Sequence, residues 1–142
     1  MFSIFESSEK KAVKSHLRHL VRLALSDGHL HKDELKFIKR IGRENGLTKS
    51  EIDGIIENPL SVEIIIPEDP KERFHQIFDL CNLIMKDGHA NDAEVDFCAD
   101  LANRLGFKKV IVGVLVAKIQ RGLDEGLTRK EIFKEAKPFI NY

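Results

Sequence analysis

The sequence predicts an all-α protein of about seven helices, arranged as two pseudo-equivalent helical repeats packed as one bundle. Three observations predict it. Apolar residues recur at the i, i+3, i+4, i+7 spacing of a buried helical stripe. Capping residues and glycines punctuate that pattern at helix length. The chain also matches itself without a gap at an offset of 60 residues, with 16–47 lying on 76–107.

The first helix carries Leu17, Leu20, Val21, Ala24 and Leu25 on one stripe. Gly28 ends it, because glycine enters the left-handed region without a Cβ clash. The second helix opens at His31, with Glu34 at the spacing of a capping box, and turns Leu35, Ile38 and Ile41 inward. Gly46 is its stop. Thr48-Lys-Ser-Glu51 is a second capping box, opening a short third helix that ends near Asn58-Pro59. From Pro59 to Pro70 the prolines and the run Val62–Ile66 predict an extended connector over apolar surface.

The second copy repeats the scheme. Phe74, Ile77, Phe78, Cys81, Ile84 and Met85 form its first stripe and Gly88 its corner; Asn91 and Glu94 form the capping box. Val95, Cys98, Leu101, Ala102 and Leu105 are the core residues of the next helix, stopped by Gly106. Lys109–Arg121, containing VIVGVLVAKI, is rich in β-branched residues, yet its length and repeat position predict a central buried helix. Thr128-Arg-Lys-Glu131 opens a last helix that runs to about Pro138. The repeats are 14–58 and 72–121, the connector is 59–71, and the whole of 1–142 is expected to form a single domain.

Identities between the copies concentrate at the corners: Asp27/Asp87, Gly28/Gly88, His29/His89, Glu34/Glu94 and Gly46/Gly106. Two carboxylates across a tight turn can hold a hard divalent cation through oxygen, with water completing the shell. The candidate metal ligands are therefore Asp27, Glu34, Asp87 and Glu94, with His29 and His89 as alternatives in a mixed nitrogen–oxygen site. The stretch DGHLHKDE lacks the acidic residues and central glycine of an EF-hand loop, so tight calcium binding is not expected. A purely structural role competes. Glu34 and Glu94 would then cap helices, and Asp27 and Asp87 would bond turn amides. His16, His19, His31 and His75 have no constellation around them and read as helix surface.

Composition bounds the rest. Hydrophobic residues make up 42% and charged residues 32%, the balance of a folded globular protein. Lys+Arg and Asp+Glu each number 23, so no net charge draws the chain to nucleic acid or an anionic membrane. The longest apolar run, Val110–Ala117, is too short to span a bilayer, and residues 1–9 lack the basic and apolar regions of a signal peptide. Cys81 and Cys98 have no CxxC or histidine partner in sequence and read as buried free thiols, which fits a cytoplasmic location. No GxSxG, HExxH, P-loop or GxGxxG occurs, so no catalytic residues and no organic cofactor are expected. Another protein remains a possible partner, through Val62–Ile66, the Val110–Ile119 helix, or Phe133 and Phe139.

The stretch LALSDGHLHKDELKFIKRIGRENGLTKSEI, with Asp27-Gly28…Glu34 and again Asp87-Gly88…Glu94, resembles the TerB-like family of helical domains named for bacterial tellurite resistance. The resemblance extends from about Lys14 to Ile119 and includes the two-fold internal repetition. It implies seven or so helices, a cluster of surface carboxylates that binds metal ions, and a role in tellurite or metal stress. On this chain those carboxylates are Asp27, Glu34, Asp87 and Glu94. His31 departs from the family by standing where a small polar residue is usual before the second helix.

Overall fold

The computed structural model describes residues 6–85 and 92–140, and within them the side chains of Asp27 and of 109–111 lie outside the description. Seven α-helices run through the described residues: α1 Ser8–Ala24, α2 Lys32–Glu44, α3 Lys49–Glu57, α4 Pro70–Ile84, α5 Asp92–Arg104, α6 Lys109–Asp124 and α7 Arg129–Ile140. Among these residues there is no strand, so the all-α expectation holds, including α6. Short 3-10 turns follow α1 (Leu25–Asp27) and α3 (Pro59–Ser61). The chain divides into two compact units, Met1–Ile65 and Ile66–Tyr142.

In the first unit α1, α2 and α3 pack against one another. Ser7 caps α1, its Oγ accepting from the Lys10 N–H at 3.1 Å. Leu17, Leu20, Val21, Phe37, Ile38, Ile52 and Ile55 are buried. Arg18 donates to the Val62 carbonyl at 2.8 Å. The Ser15 hydroxyl both donates to the Ile65 carbonyl (3.2 Å) and accepts from the Ile65 N–H (2.8 Å). These bonds fasten the start of the extended connector to α1 and satisfy backbone groups that no helix serves. Ile65 and Val62 are half-buried, whereas Leu60, Ile64 and Ile66 stand exposed, so only part of the run covers apolar surface.

In the second unit α6 is the hub, packing on α4, α5 and α7. Asp69 caps α4 by accepting from the Lys71 N–H at 3.0 Å, and Pro70 at the first helical position sets the entry. Val112, Leu115, Val116 and Ile119 form the buried stripe of α6, while Val114 is 43% exposed. The helix is thus amphipathic rather than buried all round. The last helix, expected to end near Pro138, passes through that proline to Ile140. Pro138 removes one N–H near the helix end, and buried Ala136 and Ile140 hold the final turn.

Element ends recur at the offset of the sequence repeat: α1 and α4 end at Ala24 and Ile84, and α2 and α5 span 32–44 and 92–104. The junctions after them are built alike. Gly46 and Gly106 are left-handed, with φ of 88° and 98°. In each, the next residue's N–H reaches back into the helix, Leu47 to the Gly42 carbonyl (3.0 Å) and Phe107 to the Ala102 carbonyl (3.2 Å). This is the Schellman closure that satisfies the last carbonyls of a helix. The α6–α7 junction repeats it at Gly126, with Leu127 bonded to the Gly122 carbonyl at 2.9 Å.

Candidate functional site

The first corner is described almost completely. After α1 the chain tightens into a 3-10 turn and reaches Gly28 at φ 89°, whose N–H donates to the Leu25 carbonyl at 2.9 Å. A Cβ on Gly28 would meet nothing within 4 Å, so the backbone angle alone demands glycine there. His31 is extended (φ −72°, ψ 153°) and precedes the first residue of α2. Its N–H donates to Glu34 Oε1 at 3.2 Å, and its carbonyl accepts from Leu35 at 2.9 Å. The acidic half of the expected capping box is therefore present. His29 is exposed, and its ring lies 6.1 Å from that of His31.

Glu34 is only 1% exposed and Glu94, its counterpart on α5, only 3%. The apolar neighbours Leu35 and Val95, expected inside, are half-buried. The helix phase is thus rotated so that the third residue of α2 and of α5 points inward. Burial beside a helix N-terminus is tolerable for a carboxylate because amide donors and the positive dipole end face it. Of the sequence-derived ligands, the structure brings Glu34 to the His31 amide, and His29 stands exposed. The Asp27 side chain, Asp87 and His89 lie outside the described residues, as do Gly88 and Asn91. Among the described residues no three His, Cys, Asp or Glu side chains converge as a metal centre requires.

Two of the histidines read as helix surface are instead buried: His16 is 8% exposed and His19 5%. α1 packs on both α2 and α3, so its covered arc is wider than one apolar stripe. Their counterparts Gln76 and Asp79 are buried as well. Asp79 Oδ1 accepts from Arg129 Nη2 at 2.5 Å, and the guanidinium lies over the Phe78 ring at 4.4 Å. Beside this pair His75 stacks on Phe133, with centroids 6.0 Å apart. Burial, and then the Arg129 charge, lower the His75 pKa below its ordinary value, against the opposing pull of Glu72 and Asp79.

Sequence reasoning also missed a cleft of about 420 Å³ in the first unit, lined by Lys14, Glu51, Gly54, Ile55, Ser61 and Val62 among others. Lys14 Nζ reaches Glu6 at 2.9 Å and Glu51 at 3.4 Å, and Lys10 reaches Glu51 at 2.9 Å. Burial pushes the Glu51 pKa up, but the Thr48 amide and hydroxyl with Lys10 and Lys14 outweigh it and bring it down to about 2. The capping-box spacing was the available signal for Glu51; nothing local pointed to the lysines of α1.

The two cysteines are free, both wholly buried, and lie on α4 and α5 with their sulfurs 4.0 Å apart. No helix among the described residues is long and apolar enough to cross a membrane. No protein-family model, curated protein or solved structure matches the chain.

Proposed function

We propose that the chain is a non-enzymatic, TerB-like helical protein whose Asp-Gly…Glu corners take up a divalent cation with weak affinity, in a cytoplasmic response to metal or tellurite stress. The observation that carries the cation reading is the withdrawal of the same glutamate from water in both units, Glu34 at 1% and Glu94 at 3% exposure. A carboxylate so placed is held by hydrogen bonds, by a cation, or by both. In sequence an Asp stands seven positions before each of these glutamates, a residue type that offers a second hard oxygen donor. The stress association comes from the family resemblance, and the reduced, buried thiols suit a cytoplasmic setting.

NMR titration of the whole chain with Ca²⁺, Mg²⁺ and Zn²⁺ tests the proposal. Amide shifts centred on Gly28 and Gly88 are expected, and the double substitution Asp27→Asn/Asp87→Asn should abolish them. Shifts scattered over the surface would overturn it.

A second reading, an interaction module for another protein, is favoured by Leu60 and Ile64, which stand 64% and 45% exposed on the connector. Phe133 contributes less, because it is packed against Phe74 and His75. Affinity capture from the native host with wild type and with Leu60→Ser/Ile64→Ser separates the readings. A partner lost in the double variant supports this one; identical captures count against it.

A further inference from the structure

The chain has only two cysteines, and they touch. Cys81 lies in the last turns of α4 and Cys98 in the middle of α5, helices that pack on one another. Their counterparts in the first unit are Val21 and Ile38, both buried, so aliphatic side chains serve the same packing. A hydrophobic core therefore does not require sulfur at either place, yet both members of one contact carry it.

We propose that Cys81 and Cys98 are an oxidisable pair, closing under peroxide into an intramolecular disulfide that ties α4 to α5 across the second corner. The sulfurs start 4.0 Å apart and must approach to about 2 Å, a distance within reach of side-chain rotation and a small helix shift. In the closed state the contact with the Cys98 thiol, and then burial, hold the Cys81 thiol in its protonated form, so reaction proceeds when α4 and α5 open locally. One thiol gives up its proton, the thiolate attacks a peroxide oxygen, the O–O bond breaks, and the hydroxide expelled takes up that proton, leaving sulfenic acid and water. The second thiol then attacks the sulfenic sulfur, forming the S–S bond and releasing another water. Two thiols are oxidised and one peroxide is reduced to two waters. Whichever sulfur reacts first has its resolving partner already alongside, which favours disulfide over further oxygenation.

The experiment treats reduced, folded, full-length protein with hydrogen peroxide, then counts thiols with N-ethylmaleimide in denaturant. Expected are a monomer lighter by two hydrogens, no maleimide uptake, and full reversal by dithiothreitol. Trypsin, cutting after Arg73, Lys86 and Arg104, should yield one linked pair of peptides. The variants Cys81→Val and Cys98→Ile take the residues of the first unit; each should keep the helical circular-dichroism spectrum and instead accumulate sulfinic acid or a disulfide-linked dimer. Oxygen adducts on separate peptides of the wild type, dimers in place of the internal link, or two surviving thiols at peroxide levels that oxidise the urea-unfolded chain would each overturn the proposal.

Discussion

Glu34 closes the turn that begins three residues before it: its Oε1 takes the His31 N–H at 3.2 Å while the side chain is almost entirely shielded from water. Glu34→Ala removes that charged acceptor from the part-buried His31 N–H, at a cost of about 1.5–3 kcal/mol. Glu34→Gln keeps an acceptor oxygen and should lose less. Urea unfolding of the two variants checks the order.

Glu51 contributes to acid stability in the first unit. Its pKa falls from 4.5 to about 2 on folding, so its contribution is complete above pH 4.5 and drains away as the pH drops through about 2. Unfolding midpoints of the wild type should decline across that window, and Glu51→Gln should flatten the decline.

Gly28 and Gly54 should respond in opposite directions to the same substitution, although a Cβ meets nothing within 4 Å at either. Gly28→Ala forces a side chain into the left-handed region and costs about 1–2 kcal/mol. Gly54 lies inside α3, where Ala is the better helix former, so Gly54→Ala should stabilise by about 0.5–1 kcal/mol. Thermal unfolding followed by circular dichroism distinguishes the signs.

Arg129 acts on two neighbours at once. Arg129→Met removes the ion pair with Asp79, which is 6% exposed, and should destabilise by about 1–3 kcal/mol, the half-exposed guanidinium moderating the loss. It also removes a positive charge that holds the His75 pKa down, so the His75 midpoint should rise toward 6.5. Because that pKa is lowered in the fold, His75 costs stability as the pH falls through 6.5, and the variant should lose some of this dependence. NMR titration of the imidazole proton checks it.

The helices were legible because their stops and starts are written in local chemistry: Gly28, Gly46, the Thr48–Glu51 box and the Asp69-Pro70 entry act within a few residues. Glu34 was legible as a cap for the same reason. The burial of Glu34 and Glu94 was not, since the rotation that brings Glu34 inward and leaves Leu35 half-covered is set by packing of α2 on α1 and α3. His16 and His19 were misread because a helix covered from two sides loses the clean stripe that periodicity detects. A second likeness lies at an offset of 80: residues 42–52 and 122–132 share Gly-x-x-x-Gly-Leu-Thr-x-x-Glu-Ile. A Cβ on Gly42 would come within 2.8 Å of Ile52, and one on Gly122 within 2.5 Å of Ile132, so each first glycine is the seat of the isoleucine ten residues on. A spacing that mixes a packing seat, a helix stop and a cap falls outside any single periodic template.

The grouping of helices into 1–65 and 66–142 bears on how the protein is made. Each helix pair named above lies within one group, so the contacts among α1, α2 and α3 do not wait for the trailing helices. The leading three helices can thus settle while the ribosome is still adding the trailing four, and short-range closure of this kind gives rapid maturation with little time for sticky intermediates to meet.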